Sequence, residues 1–386
     1  MKWTYLYIIL LFLSCQTKEE ENRNKVNYLF TLEKTGELKL PLDNETSYEM
    51  YYLSYYNDNS EELLYTWNHF TNGINVYSLT TKTLLNQIKI PLEGPNSIYS
   101  LQGFTVIHKD TILAYARGTT SSTIMLNTKG DILNTHFMVR DSKMPVINHL
   151  SNSQGPTLKY GKYLCFSQLP LFDLSNPANM NDKFPYEIWY DLQKNEHIDM
   201  GIHFPESYQN KLWGAYNVYL NRTKGHDNYF VYSWPAKEEI YVTNFEDTEK
   251  WVNISLDRAK GKYSKSLPMN YTEEEELRSV TEHYSHKAIF YDKYREVYYQ
   301  MVLGPTDELI ANDYNAFFAQ PMYFVILNKE FEKIGEVSMP RSKYSFMGLF
   351  IGEKGLYIPQ TNSENPDLKE DEITFSIYKL EKQDEK

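Results

Sequence analysis

Cysteine is almost missing from this chain. Two occur in 386 residues, Cys15 and Cys165, so no disulfide framework can hold the fold and the core must do so. Basic residues are also short: 39 Lys and Arg stand against 51 Asp and Glu, a formal charge of −12. Nucleic acid and anionic membrane surfaces are therefore not expected partners. Only one long apolar run exists, Trp3–Leu13, and no later segment could cross a membrane as a helix. Nine histidines are scattered along the chain. There is no G-x-S-x-G elbow, P-loop, dinucleotide fingerprint or H-E-x-x-H. No two carboxylates can be paired across a cleft from the sequence, so a glycosidase dyad has no support. No cofactor is expected, and no motif names a substrate or reaction.

The N-terminus carries an address. Lys2 supplies a positive start, and Trp3–Leu13 is too short for a bilayer span of about 20 residues but suits a signal-peptide core of about 7–15. Phe12-Leu13-Ser14-Cys15 resembles a lipobox, departing from it at Phe12, where Leu is usual. Residues 1–14 are read as a lipoprotein signal peptide, and Cys15 as the lipidated residue that attaches the protein to a membrane. Residues 15–25 form an acidic tether. Within it Lys18, Glu19, Glu20 and Glu21 resemble the surface-export signal of Bacteroidota lipoproteins, which implies the outer membrane and its outer side. Cys165, inside the apolar run Tyr163–Phe166, is expected to be a buried small hydrophobe.

Aromatics are plentiful, with 34 Tyr and 19 Phe, and aromatic enrichment is a strand signal. One unit repeats: a β-branched or aromatic strand, a polar turn and a second strand. Copies run from Ile74 to Pro91, from Thr123 to Val139, and from Tyr186, Glu239 and Met322. Turn residues are Asn, Asp, Gly and Lys, as hairpins require. Ile88 and Ile90 alternate with Gln87 and Lys89, and Val252, Ile254 and Leu256 with Asn253 and Ser255, which marks sheets buried on one face. Two further strand-like runs precede each hairpin wherever they can be traced, as at Tyr51–Tyr56 and Leu63–Trp67, or Lys287–Tyr291 and Glu296–Val302. Four antiparallel strands at a spacing of roughly 45–50 residues are the blade of a β-propeller.

The last unit, with strands at Phe346–Ile351, Leu356–Gln360 and Ile373–Leu380, runs out of chain before its fourth strand. A spare strand lies at the N-terminus, Phe30–Asp43, where Leu38, Leu40 and Leu42 alternate with Glu37 and Lys39. It is expected to close the ring as the outer strand of the last blade, removing two exposed edges. Pro41 suits an outer edge. The fold class is all-β: residues 26–386 form a single propeller, with six four-stranded blades expected and seven as the alternative. One inserted helix is predicted at Glu273–Tyr284, with Thr272 and Glu275 as its capping box and Glu274 spaced to pair with Arg278.

The segment Tyr291-Asp292-Lys293-Tyr294-Arg295-Glu296-Val297-Tyr298-Tyr299 is similar to one that recurs in uncharacterised Bacteroidota lipoproteins of about this length. The lipobox, acidic tether and Tyr-rich blades resemble the same family. The resemblance implies a propeller-like envelope lipoprotein of unknown function. It brings no catalytic residues.

Strand order puts every long loop on one face. Leu171–Pro185, Gly304–Pro321 and Thr361–Glu372 join second to third strands, while Arg140–Pro156, Pro205–Gly214 and Leu256–His286 join blades. Function concentrates on such loops. Their aromatics suggest a sugar or peptide site: Trp213 and Tyr208 in one loop, Phe172 in another, and Tyr314, Phe317 and Phe318 beside Asp313 in a third. His283 and His286 lack a third metal ligand, and the oxygen-rich loop from Asp173 to Asp182 lacks the Gly and terminal Glu of an EF-hand, so no metal site is expected. The leading expectation is a non-catalytic recognition module for a glycan or peptide. The alternatives are an envelope hydrolase or lyase with its site in the channel, and a scaffold subunit of an envelope protein complex. Replacing Cys15 by Ala should abolish labelling by a fatty-acid probe and release the protein from membranes; a labelled mutant would refute lipidation at Cys15.

Overall fold

Strand register in a computed structural model of the chain follows the alternation of the sequence. The structure describes residues 28–383 except 95, 96, 99, 100, 117–121, 138–148, 195, 307–315 and 341. Strand β1 spans Phe30–Pro41. Blade 1 contains β2 (Leu53–Asn57), β3 (Glu62–Asn68), β4 (Gly73–Ser78) and β5 (Thr83–Lys89). Blade 2 contains β6 (Leu101–His108), β7 (Thr111–Ala116), β8 (Ser122–Leu126) and β9 (Ile132–Phe137). In blade 3 the innermost position is split between β10 (His149–Leu150) and β11 (Leu158–Tyr160), both paired with β12 (Tyr163–Gln168), followed by β13 (Glu187–Asp191) and β14 (Glu196–Asp199). Blade 4 contains β15 (Asn221–Lys224), β16 (Phe230–Ser233), β17 (Glu239–Thr243) and β18 (Glu249–Asn253). Blade 5 contains β19 (Ser285–Asp292), β20 (Val297–Leu303), β21 (Met322–Leu327) and β22 (Lys333–Ser338). Blade 6 is built from β23 (Phe350–Gly352), β24 (Gly355–Pro359) and β25 (Glu372–Lys382). The protein is thus a six-bladed β-propeller of four-stranded antiparallel sheets, not the seven-bladed alternative.

The middle strands explain the continuous apolar runs. GINVYS, EIWYD, VYYQMVL and GLYIP are buried at every position, because a neighbouring blade covers each face of the sheet. Outermost strands are largely exposed, as in TLLNQIK and EKWVN, where neighbouring blades cover only part of the sheet. Ring closure falls to β1. It pairs antiparallel with β25 from Phe30 opposite Lys382 to Pro41 opposite Glu372, with one irregularity between Lys34 and Gly36. Leu38 and Leu40 are buried with Phe375, Ile377 and Tyr77, so closure joins blade 6 to blade 1 through packing as well as backbone hydrogen bonds.

Helix α1 runs Glu273–Thr281 and has the complete Thr272–Glu275 capping box. It ends three residues before the predicted Tyr284, because Tyr284 donates its N–H to Lys262 O and Ser285 already belongs to β19. The first strand of blade 6 is likewise shorter than expected. Gly348 turns the chain at φ +77°, and a Cβ there would sit 2.9 Å from Met50 O. A second, short helix, α2 (Ala316–Ala319), lies in the blade 5 insertion.

Cys165 is fully buried, and burial pushes its thiol far above the usual range. Nearby is the one fully buried ion pair among the described residues. Arg222 on β15 pairs with Glu187 on β13, both without solvent exposure. Arg222 also donates to Pro156 O (2.8 Å) and Cys165 O (2.6 Å), and Trp189 Nε1 donates to Glu187 at 2.9 Å. Breaking such a pair leaves a desolvated charge, so Glu187→Gln should cost about 3–5 kcal/mol in denaturant unfolding. A loss below about 1 kcal/mol would show that the pair does not bind blade 3 to blade 4.

Candidate functional site

The strand order fixes where loops go. In each blade the first-to-second and third-to-fourth connections share one face, and they are short, as at 58–61, 161–162, 293–296 and 353–354. Among the described residues the other face receives 169–186, 200–220, 254–284, 304–306, 316–321, 339–340, 342–349 and 360–371. This loop-rich face surrounds one mouth of the channel lined by the innermost strands.

Several elements meet there around Phe317. Gln320, at the end of α2, donates to Gly304 O (2.8 Å) and Val280 O (2.9 Å), tying α2 to α1. Helix α1 in turn holds the blade 3 to blade 4 connection, since Glu276 accepts the Ala215 N–H at 2.6 Å. These ties set the Tyr216 and Phe317 rings 5.0 Å apart, with Phe346 at 6.3 Å from Phe317. Phe318 lies 5.7 Å from Phe346, and Asn362 donates to its carbonyl at 2.9 Å. Gln154, from the loop between β10 and β11 within blade 3, also reaches the cluster, donating to Phe346 O at 3.2 Å. Loops from three inter-blade connections thus converge on blade 5.

Lys287 completes this cluster. It sits on β19 where the pairing with β20 is irregular between His286 and Ala288, so the strand re-aims it. Its ammonium lies 5.6 Å from the Phe317 ring centre, a cation–π distance. No carboxylate among the described residues lies within ion-pair reach of it. Burial lowers its pKa to about 8.

The predicted aromatics divide into two groups. Phe317 and Phe318 belong to the mouth cluster, with Phe317 itself 8% exposed. Trp213 and Tyr208 lie in a separate cluster with Phe204, Phe184 and Phe172. There Trp213 stacks on Tyr208 at 4.2 Å and donates Nε1–H to the Tyr208 carbonyl, while the Tyr208 hydroxyl accepts from Ala236 N. These rings pack the loop onto blades 3 and 4, with Trp213 6% exposed and Tyr208 fully buried, so they present little face to solvent. Phe172 packs edge-on to Phe184 at 5.4 Å. Asp313 and Tyr314 lie outside the described residues, as does Cys15. His286 is fully buried against Tyr263, 4.8 Å ring to ring. Among the described residues no three His, Cys, Asp or Glu side chains group closely enough to hold a metal. Sequence reasoning missed Tyr216, Phe346 and Lys287. The one available signal was a charged residue interrupting the β19 strand SHKAIFYD.

No curated protein matches the chain. Among solved structures, a DUF4221 family member from Bacteroides vulgatus is similar with a TM-score of 0.79 and 21% identity, covering 92% of this chain and 99% of that one. Virginiamycin B lyase from Staphylococcus aureus reaches 0.43 at 11% identity, covering 91% and 99%. A Lactobacillus plantarum protein also reaches 0.43 at 11%, covering 81% and 78%. Likenesses of that degree carry no argument about activity. The family model described as a domain of unknown function (DUF4221) matches residues 28–338, which is most of the chain, and the protein belongs to the DUF4221 family.

Proposed function

We propose that this propeller is a lipid-anchored recognition module of the bacterial envelope, displayed on the outer membrane, which binds an anionic glycan or peptide at its loop-rich mouth without transforming it. The observation that carries this reading is Lys287: a partly buried ammonium over the Phe317 ring, which itself packs with Tyr216 and Phe346, with no described carboxylate to neutralise it. A partly buried cation with no described counter-charge gains most from an incoming anion, and the partly exposed rings of Tyr216 and Phe318 in the same cluster can accept the apolar face of a sugar or side chain. The anchoring half of the proposal rests on Cys15 and the acidic residues after it. Ring closure supports the combination. Every outermost strand begins on the short-loop face, so β1 begins there too, at Phe30. A tether leaving the domain at that point would be attached opposite the mouth.

Arrayed acidic oligosaccharides and acidic peptides, each with a neutral counterpart, would test this on the full-length protein. The acidic members should bind better. Lys287→Met should weaken the best of them by about 1–3 kcal/mol, roughly 5- to 150-fold, with little change in melting temperature. The pH dependence has a definite sign. Lys287 is charged below about 8 and loses its proton above it, so affinity should fall as pH rises from 8 to 10. Equal binding by Lys287→Met, or binding that is flat across that range, would overturn the proposal.

A further inference from the structure

The opposite face carries a cavity of its own, separate from the mouth cluster. It lies between blades 4 and 5 on the short-loop face and has a volume of about 410 Å³, in the lower part of the range of ligand sites, about 300–1,000 Å³. Three short loops and one strand build it: the first-to-second strand loops of both blades, the third-to-fourth loop of blade 5, and Lys250 on β18.

Its floor is aromatic and locked. Phe331 adopts a left-handed backbone at φ +68°, which a bulky residue rarely does, and its ring is buried on Tyr298 at 4.9 Å. The Tyr298 hydroxyl meets His226 Nδ1 at 3.0 Å. That contact requires glycine at 225, since a Cβ there would collide with the tyrosine oxygen. Tyr229 stands edge-on to Phe331, with centroids 5.9 Å apart.

The rim is charged, and its charges are incompletely paired. Lys250 lies over the Phe331 ring at 4.8 Å with no carboxylate within ion-pair reach among the described residues. Among the described residues Lys329 pairs only with Glu296, at 3.9 Å. Among the same described residues, the exposed Asp227 has only the His226 ring within ion-pair reach, at 4.0 Å, and the exposed Glu330 makes no ion pair. A ligand suited to this arrangement needs an anionic group for Lys250, hydroxyl donors for Asp227 and Glu330, and an apolar face for Tyr229. A simple carboxylic acid supplies only the first requirement, and a neutral hexose lacks it.

We propose that this cavity is a second binding site, for a carboxylated sugar of the hexuronic acid class, with Lys250 as its carboxylate anchor. Titration calorimetry of the full-length protein in detergent tests it, with glucuronate and galacturonate as probes and glucose, galactose and acetate as controls. One uronate should bind, and each control at least about tenfold more weakly. Lys250→Met should lose at least about tenfold in affinity, while Lys287→Met at the mouth should bind the uronate like wild type. Lys250 is exposed, so its variant should melt normally; Glu330→Gln offers a second check and should weaken the uronate without affecting acetate. Absence of uronate binding, acetate binding as tightly as uronate, or an unchanged Lys250→Met would overturn the proposal. Loss in Lys287→Met alone would place the uronate at the mouth and overturn it too.

Discussion

The pairing of β1 with β25 is the constraint on which the rest of the structure depends. Without it blade 6 would have three strands and two bare edges, and blade 1 would lose the covering of Leu38 and Leu40. The pairing joins residues more than 300 positions apart, so the loop-closure entropy is set against a whole ring of inter-blade packing. It also orients the molecule. An outermost strand must start on the short-loop face, so β1 begins there, while the long connections among the described residues lie on the other face. The separation of the β1 start from the mouth is thus a consequence of topology.

Aliphatic side chains from neighbouring blades pack with many aromatic ones, among them tyrosines several of whose hydroxyls find partners inside the protein. Tyr186 donates to Val218 O at 2.6 Å, and Tyr344, Tyr378 and Ser376 share a buried network. Arg222 and Glu187 make the same demand with full charges. These polar ties restrict which blade faces can pack together, whereas hydrophobic burial alone would accept many arrangements.

Much of the fold was legible because strand alternation and hairpin turns are local. Ile88 and Ile90 against Gln87 and Lys89 fixed a register, and a last unit with too few strands pointed directly to Phe30–Asp43. The capping box of α1 was legible for the same reason, while its end was not, because a tertiary bond from Tyr284 to Lys262 decides it. The site was legible only in its location. Sequence places Trp213 in a loop but does not say that its ring turns inward onto Tyr208. Lys287 is re-aimed by an irregularity that leaves no periodic trace, and Arg222 meets Glu187 only because blades 3 and 4 adjoin.

The two proposed sites lie on opposite faces of one closed ring, and that ring should open only as a unit. Native-state hydrogen exchange on the β1 amides tests this most directly. Amides of Leu38–Leu40 should exchange with the same opening free energy as those of Ile373–Phe375 opposite them, near that of global unfolding. If β1 amides exchange several kcal/mol more easily than their partners, the strand detaches by itself and closure is not what holds the propeller together.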